Sequence, residues 1–127
     1  MFHMLSCFNL KPGIALDEFC RSVAEFTSHL EKIDLIHSAG SVGRRQRDTI
    51  MDTDSERHHE YFLVLSFLDR AQCDRAVEHM FSFEQPADTI HKAVYTQITD
   101  QVFICWEDIQ GRAKQSAPEP GGIVDPA

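Results

Sequence analysis

The most apolar segment of the chain is residues 61–68, with the sequence Tyr-Phe-Leu-Val-Leu-Ser-Phe-Leu. It is too short for a typical globular helix, and apolar side chains occupy both odd and even positions. Because successive side chains of a strand point to opposite faces, this pattern predicts a strand in a sheet that is covered on both sides. The chain has enough helix for one side only. We therefore expect the other side of the sheet to be covered by a second copy of the chain, by a ligand, or by both.

The first third of the chain predicts a strand and then a helix. Residues 2–10 are apolar with polar interruptions and end at Pro12 and Gly13, which indicates a strand followed by a turn. From Asp17 onward, apolar residues recur at steps of three and four, which is the period of an amphipathic helix. The residues of this stripe are Phe19, Val23, Phe26, Leu30 and Ile33.

The middle of the chain predicts a hairpin and then a second helix. Residues 37–47 contain glycines and three arginines and predict a weaker strand at a sheet edge, with residues 48–57 as the hairpin loop. Asp69 and Gln72 fit a capping box at the start of the second helix. The stripe predicted to be buried on this helix contains Cys73, Ala76, Val77, Met80 and Phe81. Pro86 then opens a further helical piece, and residues 101–107 predict the last strand.

This order of elements predicts an α+β fold. Strand, helix, strand, strand, helix and strand form the split βαβ arrangement of ferredoxin-like folds, with a four-stranded antiparallel sheet and both helices on one face. The predicted domain covers residues 1–109. Residues 110–127 are rich in Pro, Gly and small polar residues, which cannot bury enough surface to offset ordering, so we expect a disordered C-terminal tail.

Charge and cysteine spacing narrow the classes of partner. The formal net charge of -8 disfavours nucleic acid and anionic membranes, and no apolar run is long enough to span a bilayer. The N-terminal segment does not fit a secretory signal, so we expect a cytoplasmic protein. The four cysteines form no CxxC pair, so the pattern predicts buried free thiols and neither a metal nor another cofactor.

The segment Leu10-Lys11-Pro12-Gly13, which closes the first strand before an amphipathic helix, resembles the dimeric α/β barrel proteins. These include stress-responsive barrel proteins and small antibiotic-biosynthesis monooxygenases. The segment Ile90-His91-Lys92-Ala93-Val94, followed by an aromatic strand, is similar to an uncharacterised branch of that superfamily. The resemblance implies a homodimer in which two sheets face each other and form a barrel that can hold a small molecule. His3 lies seven positions before Leu10 rather than the six that the resemblance requires, so no role is transferred to it.

The parity of polar residues predicts which sheet face lines the barrel. A face covered by helices should be the drier one. We therefore expect Tyr61, Leu63, Leu65 and Phe67 to meet the helices, together with Met4, Phe8, Val102, Ile104 and Trp106. The opposite parity predicts an apolar pocket with a few polar groups. Its ligand-binding candidates are Cys7, Asn9, Phe62, Ser66, Phe103, Cys105 and Glu107, and its catalytic candidates are His3 and Glu60.

Other polar groupings favour ordinary structural roles. His3, Cys7, Glu60, Cys105 and Glu107 could form a metal or catalytic cluster, but their spacing matches no known motif, and polar strand ends are the favoured interpretation. His58 and His59 come directly before a strand, and we expect them to be exposed to solvent where that strand begins. Arg44, Arg45 and Arg47 could hold an anionic substrate, with Arg45 and Arg47 on one face of the edge strand, although pairing with the acidic loop that follows is favoured.

Three functions remain open from the sequence. The first is a homodimeric barrel that binds a small, partly apolar molecule, with a cofactor-independent oxygenase or isomerase as the enzymatic form; in that case His3 or Glu60 would accept a proton. The second is a noncatalytic stress-related or scaffold dimer. The third and weakest is an RNA-binding ferredoxin-like domain, which the acidic charge opposes.

Overall fold

The computed structural model describes residues 1–109. Its strands are β1 (Phe2–Leu10), β2 (Ser38–Ala39), β3 (Gly43–Arg44), β4 (Tyr61–Phe67) and β5 (Ile98–Glu107), and its helices are α1 (Leu16–Lys32), α2 (Arg70–Met80) and α3 (Ala87–Tyr95). The predicted tail, residues 110–127, lies outside the described residues. The predicted α+β ferredoxin-like fold is confirmed.

The sheet is antiparallel, with β5, β1 and β4 side by side and both β2 and β3 on the outer edge of β4. The predicted edge strand, residues 37–47, is therefore two strands of two residues each, and the sheet has five strands rather than four. Ser38 lies opposite Ser66, and Gly43 lies opposite Phe62. The interruption between the two strands leaves β4 with a short, broken partner on this edge.

The helices cover one face of the sheet over β1 and β4, whereas residues 100–107 of β5 are exposed on both faces. Phe19, Val23 and Leu30 of α1 are buried against β4 and β1, as their spacing predicts. Asp69 caps α2 by accepting a hydrogen bond from the backbone N–H of Gln72 at 2.8 Å. The Gln72 side chain in turn accepts from the backbone N–H of Leu68 at 2.7 Å, so the predicted capping box is present with a one-residue offset.

The predicted stripe of α2 is correct in part. Cys73, Ala76 and Met80 are buried, but Val77 and Phe81 are 48% and 59% exposed. Phe81 lies just past the end of the helix and contacts the ring of His91 on α3, with ring centroids 5.0 Å apart. The apolar stripe that packs on the sheet is therefore narrower than the sequence pattern.

Pairing of the strands decides which side chains share a face, because residues directly opposite in an antiparallel pair lie on the same side. Met4 and Phe8 pair with Leu65 and Tyr61, so the prediction that these four meet the helices is confirmed. Trp106, however, pairs with His3. The predicted face of Val102, Ile104 and Trp106 is therefore wrong, since all three lie on the side away from the helices. The pairing of β1 with β5 is interrupted by a shift in register between Cys7 and Asn9.

Candidate functional site

The sheet face away from the helices carries three rows of side chains, which we call the open face. The middle row is apolar and consists of Val64, Leu5 and Ile104 on neighbouring strands. One flanking row contains Ser66, His3 and Trp106, and the other contains Phe62, Cys7 and Val102. In the single chain, Ile104 and Trp106 are 47% and 42% exposed, so the described residues leave this apolar surface largely uncovered along β5.

His3 is the centre of a hydrogen-bonded chain in the polar row. Its Nδ1 lies 2.8 Å from the Ser66 hydroxyl oxygen, and its Nε2 lies 2.9 Å from Oδ1 of Asp108. The imidazole also stacks on Trp106, with ring centroids 5.0 Å apart. Three independent contacts thus fix the ring on the open face.

The direction of these bonds follows from Asp108. The hydrogen bond from His3 lowers the pKa of Asp108 below its ordinary value, so the carboxylate is ionised at neutral pH and can only accept. Nε2 of His3 therefore carries the proton, and Nδ1 accepts from the hydroxyl of Ser66. When the Ser66 oxygen accepts a proton, its own hydroxyl proton can pass to Nδ1 of His3, whose positive charge Asp108 would then stabilise.

The other end of the open face is covered by residues 45–60, the connection between β3 and β4. This segment and the sheet line an open pocket of about 320 Å³ above Cys7 and Phe62. The remaining lining residues are Arg45, Met51, Asp52, Thr53, Asp54, Arg57 and His59. Cys7 is only 5% exposed although it lies on the open face, because this segment covers it.

Arg45 holds the covering segment in place. Its Nε and Nη2 donate to the two carboxylate oxygens of Asp52 at 2.7 and 2.6 Å. The same guanidinium donates to the backbone carbonyls of Arg57 and Asp54, each at 2.7 Å. The hydrogen bond with Arg45 lowers the pKa of Asp52. Pairing of Arg45 with the acidic loop, the favoured sequence interpretation, is confirmed.

The other charges near the pocket are also paired. Arg57 contacts Asp54 at 2.6 Å, and this contact, followed by the backbone N–H of Glu56, lowers the pKa of Asp54 from 3.8 to about 2. Burial raises the pKa of the Cys7 thiol, with an opposing effect from Arg57. The thiol is therefore protonated at neutral pH, and it presents a neutral, polarisable surface to the pocket.

His59 lies in the pocket wall and is only 9% exposed. The expectation of a solvated position is therefore wrong for this residue. Its Nε2 lies 2.8 Å from the backbone carbonyl of Asp100, which makes Nε2 the protonated nitrogen. Among the described residues no group pairs with the buried Nδ1, which is left as an acceptor without a donor.

The structure separates the predicted site residues into two groups. Cys7, Phe62, Ser66 and His3 share the open face, as predicted. Phe103, Cys105 and Glu107 pair with Ser6, Met4 and Phe2 and so lie on the helix side, which contradicts their predicted place in the pocket. The cause is the register in which β5 pairs with β1, because it places these three residues opposite residues of β1 that face the helices.

Asn9 and Glu60 lie at the end of the sheet near the pocket. Asn9 accepts from the backbone N–H of Glu60 at 2.8 Å and donates to Asp100 at 3.2 Å, so its amide joins β4 to β5. Glu60 forms a half-exposed ion pair with Arg47 at 2.9 Å. The two proton-acceptor candidates, His3 and Glu60, are therefore at opposite ends of the open face and do not form one site.

Sequence reasoning missed Asp108, Trp106 and His59. Asp108 has the parity of Trp106, so a correct register for β5 would have placed both beside His3. No local signal marks His59, because its burial depends on the fold of the whole segment. Among residues 1–109 no group of three metal-ligating side chains occurs, and no described helix is long and apolar enough to cross a membrane.

Solved structures with this architecture belong to the ferredoxin-like class. A protein of Arabidopsis thaliana, At3g17210, aligns with a TM-score of 0.68 and 9% identity over 88% of this chain and 99% of that chain. A dimeric ferredoxin-like protein of unknown function from Jannaschia sp. CCS1 aligns with a TM-score of 0.58 and 15% identity, over 84% of this chain and 98% of that chain. SnoaB, a cofactor-independent oxygenase from Streptomyces nogalater, aligns with a TM-score of 0.54 and 11% identity, over 87% of this chain and 94% of that chain. At these identities the likeness establishes the fold alone.

The sequence itself matches the family described as "Family of unknown function (DUF6614)" over residues 1–117, and the chain belongs to that family. No curated protein matches the chain. The expected resemblance to dimeric ferredoxin-like proteins and to antibiotic-biosynthesis monooxygenases is confirmed at the level of fold.

Proposed function

We propose that the protein is a homodimer that binds a small, partly apolar molecule between two open faces. The observation that carries this proposal is the apolar row of Val64, Leu5 and Ile104, which is partly exposed and lies beside a polar row centred on His3. Exposed contiguous apolar surface of this kind marks an interface or a binding site. Dimers among the solved structures with the same fold support the first part of the proposal.

The polar row suits a reaction that begins with proton removal. A substrate on the apolar row would present an acidic C–H or O–H to the Ser66 oxygen, which would accept that proton while its own hydroxyl proton passes to Nδ1 of His3. The electron pair remains on the substrate. It can take up a proton at another carbon, which is isomerisation, or reduce molecular oxygen, which is oxygenation without a cofactor. SnoaB, which has this fold, is described as a cofactor-independent oxygenase.

Two adjacent residues on β5 test the dimer. Ile104 and Phe103 are 47% and 53% exposed but lie on opposite faces of the strand. Each open-face residue occurs twice in a symmetric interface, so Ile104→Glu would bury two charges and should weaken the dimer at least about 100-fold in analytical ultracentrifugation. Phe103→Glu is the matched control and should leave the dimer intact. Equal effects of both changes, or a monomeric wild type at high concentration, would refute the proposed interface.

Ligand binding needs a separate measurement. A thermal-shift screen of small molecules should find compounds that stabilise the wild type, with less stabilisation in Ser66→Ala and His3→Gln. A dimer that no compound stabilises would instead favour the noncatalytic dimer.

A further inference from the structure

The polar row joins three side chains in the order serine, histidine, aspartate. The hydroxyl of Ser66 lies 2.8 Å from Nδ1 of His3, and Nε2 of His3 lies 2.9 Å from Oδ1 of Asp108. The same order of groups activates the nucleophilic serine of acyl-transfer enzymes on unrelated folds. We propose that Ser66 is a nucleophile that takes the acyl group of small, uncharged esters. This activity goes beyond proton abstraction from a substrate, although it rests on the small-molecule site of the proposed function.

His3 can act as the base of such a serine. It presents Nδ1 to the serine and Nε2 to the carboxylate, whereas chymotrypsin-like triads use these nitrogens the other way round. The exchange leaves the chemistry unchanged, because neutral imidazole has one donor and one acceptor nitrogen in either tautomer. The ionised Asp108 keeps the proton of His3 on Nε2, so Nδ1 is available to take the proton of Ser66.

Backbone pairing positions the serine and the aspartate before any substrate binds. Ser66 lies between His3 and Ser38 in the sheet, so strands on both sides hold it. The backbone N–H of Asp108 donates to the carbonyl of Met1 at 2.9 Å, which continues the pairing of β5 with β1 by one residue. Reacting groups that are already oriented lose little free energy in reaching the geometry of attack.

The reaction consumes only the ester and water. As Oγ of Ser66 bonds to the ester carbonyl carbon, its proton passes to Nδ1 of His3, and Asp108 stabilises the imidazolium. The C–O bond to the alcohol then breaks, and the leaving oxygen takes the proton from Nδ1. Water next gives a proton to Nδ1, adds its oxygen to the acyl carbon and displaces Oγ, which recovers that proton. The products are a carboxylic acid and an alcohol.

The surroundings of Ser66 define the ester. Val64 lies two positions away along β4, roughly 7 Å on the same face, and it continues into Leu5 and Ile104 as the apolar row. This row offers surface to an apolar acyl or alcohol group. Asp108 brings a negative charge to the polar row, which disfavours anionic substrates. Uncharged esters of short acids with apolar alcohols meet both conditions.

A fluorophosphonate tests this inference, because it modifies activated serines: Oγ bonds to phosphorus and fluoride leaves. Peptide mass spectrometry should find the adduct on Ser66 and not on Ser38, an exposed serine directly opposite it on the neighbouring strand. In His3→Gln the labelling should be at least about 100-fold slower, the lower end of the usual effect of a positioned base. Ser38→Ala is the matched control and should react as fast as the wild type.

An ester substrate extends the test to acyl transfer. With para-nitrophenyl butyrate, rapid acidification should trap a butyryl group on Ser66 of the wild type and none in Ser66→Ala. The comparison of two serines within the wild type holds even if His3→Gln does not fold. No adduct on Ser66, equal labelling of Ser66 and Ser38, or an unchanged rate in His3→Gln would overturn the inference.

The inference and the proposed function fail through different results. A dimer that small molecules stabilise but whose Ser66 does not react would overturn the nucleophile and keep the proposed function. A monomeric protein whose Ser66 is labelled selectively would keep the nucleophile and overturn the proposed dimer.

Discussion

The two faces of one strand behave differently in this protein. On the helix side of β4, Leu63, Leu65 and Phe67 are 6%, 3% and 3% exposed, whereas Phe62, Val64 and Ser66 on the open face keep intermediate exposure. Both sets come from one apolar run of seven residues. The difference teaches that this run contains two surfaces: one completes the core of the single chain, and the other stays partly exposed in it.

The largest expected effect distinguishes these two surfaces. Leu65→Ala should lower the free energy of unfolding by about 2–5 kcal/mol, because it leaves a cavity in the core. Val64→Ala should cost less than about 1.5 kcal/mol in dilute protein, since part of its side chain is already solvated. Urea unfolding at low and high protein concentration measures both.

Concentration makes this comparison sharper. If a second copy covers the open face, the cost of Val64→Ala should grow with protein concentration, while the cost of Leu65→Ala stays the same. Identical losses for the two variants at every concentration would contradict the distinction between the faces.

A smaller and more local effect is expected where the open face has its own cover. Arg45→Lys keeps the positive charge but cannot reproduce the forked contact with Asp52. Residues 45–60 should become several-fold more sensitive to proteolysis, with little change in the thermal midpoint. Arg47→Lys is the control, because Arg47 makes a single half-exposed contact with Glu60. Equal sensitivity of the two variants would show that Arg45 does not hold the segment.

The smallest expected effect is the acid response of the same segment. The pKa of Asp54 is lowered from 3.8 to about 2, first by Arg57 and then by the backbone N–H of Glu56. A carboxylate with a lowered folded pKa stabilises the fold above its unfolded pKa of 3.8, and this stabilisation is lost as the pH falls toward about 2. The protection factors of residues 45–60 in hydrogen exchange should therefore fall within this window.

Two variants check the cause of that fall in the protection factors. Asp54→Asn should remove the contribution of Asp54 to the pH dependence, and Arg57→Gln should return the pKa of Asp54 toward 3.8. An unchanged exchange profile in Asp54→Asn would assign the acid response to another group, with Asp52 the first candidate because its pKa is also lowered.

Elements governed by local periodicity could be predicted from the sequence. The bounds of β1, the stripe of Phe19, Val23 and Leu30 on α1, and the cap at Asp69 all match. These features depend on residues within one or two turns of each other, or on alternation along one strand. Neighbouring side chains are sufficient to specify them, so the ferredoxin-like order of elements followed.

The register of β5 could not be predicted in the same way. Val102, Ile104 and Trp106 are apolar, but so are Phe103 and Cys105, so parity alone did not favour either face. The shift between Cys7 and Asn9 is a property of the paired strands and not of β5 by itself. A displacement of one residue reverses the whole strand, which is why Phe103, Cys105 and Glu107 were placed on the wrong side.

The sequence by itself determined β1, β4, the helices, the ferredoxin-like order and the surplus of apolar surface on β4, because each depends on short-range patterns, whereas the division of the edge strand into β2 and β3 was not predicted. Only the tertiary structure decided that Ser66, His3 and Asp108 form one hydrogen-bonded chain and that residues 45–60 line a pocket over Cys7. Those residues are far apart along the chain. Their contacts arise from strand pairing and from the network around Arg45, which are long-range interactions that no local pattern encodes.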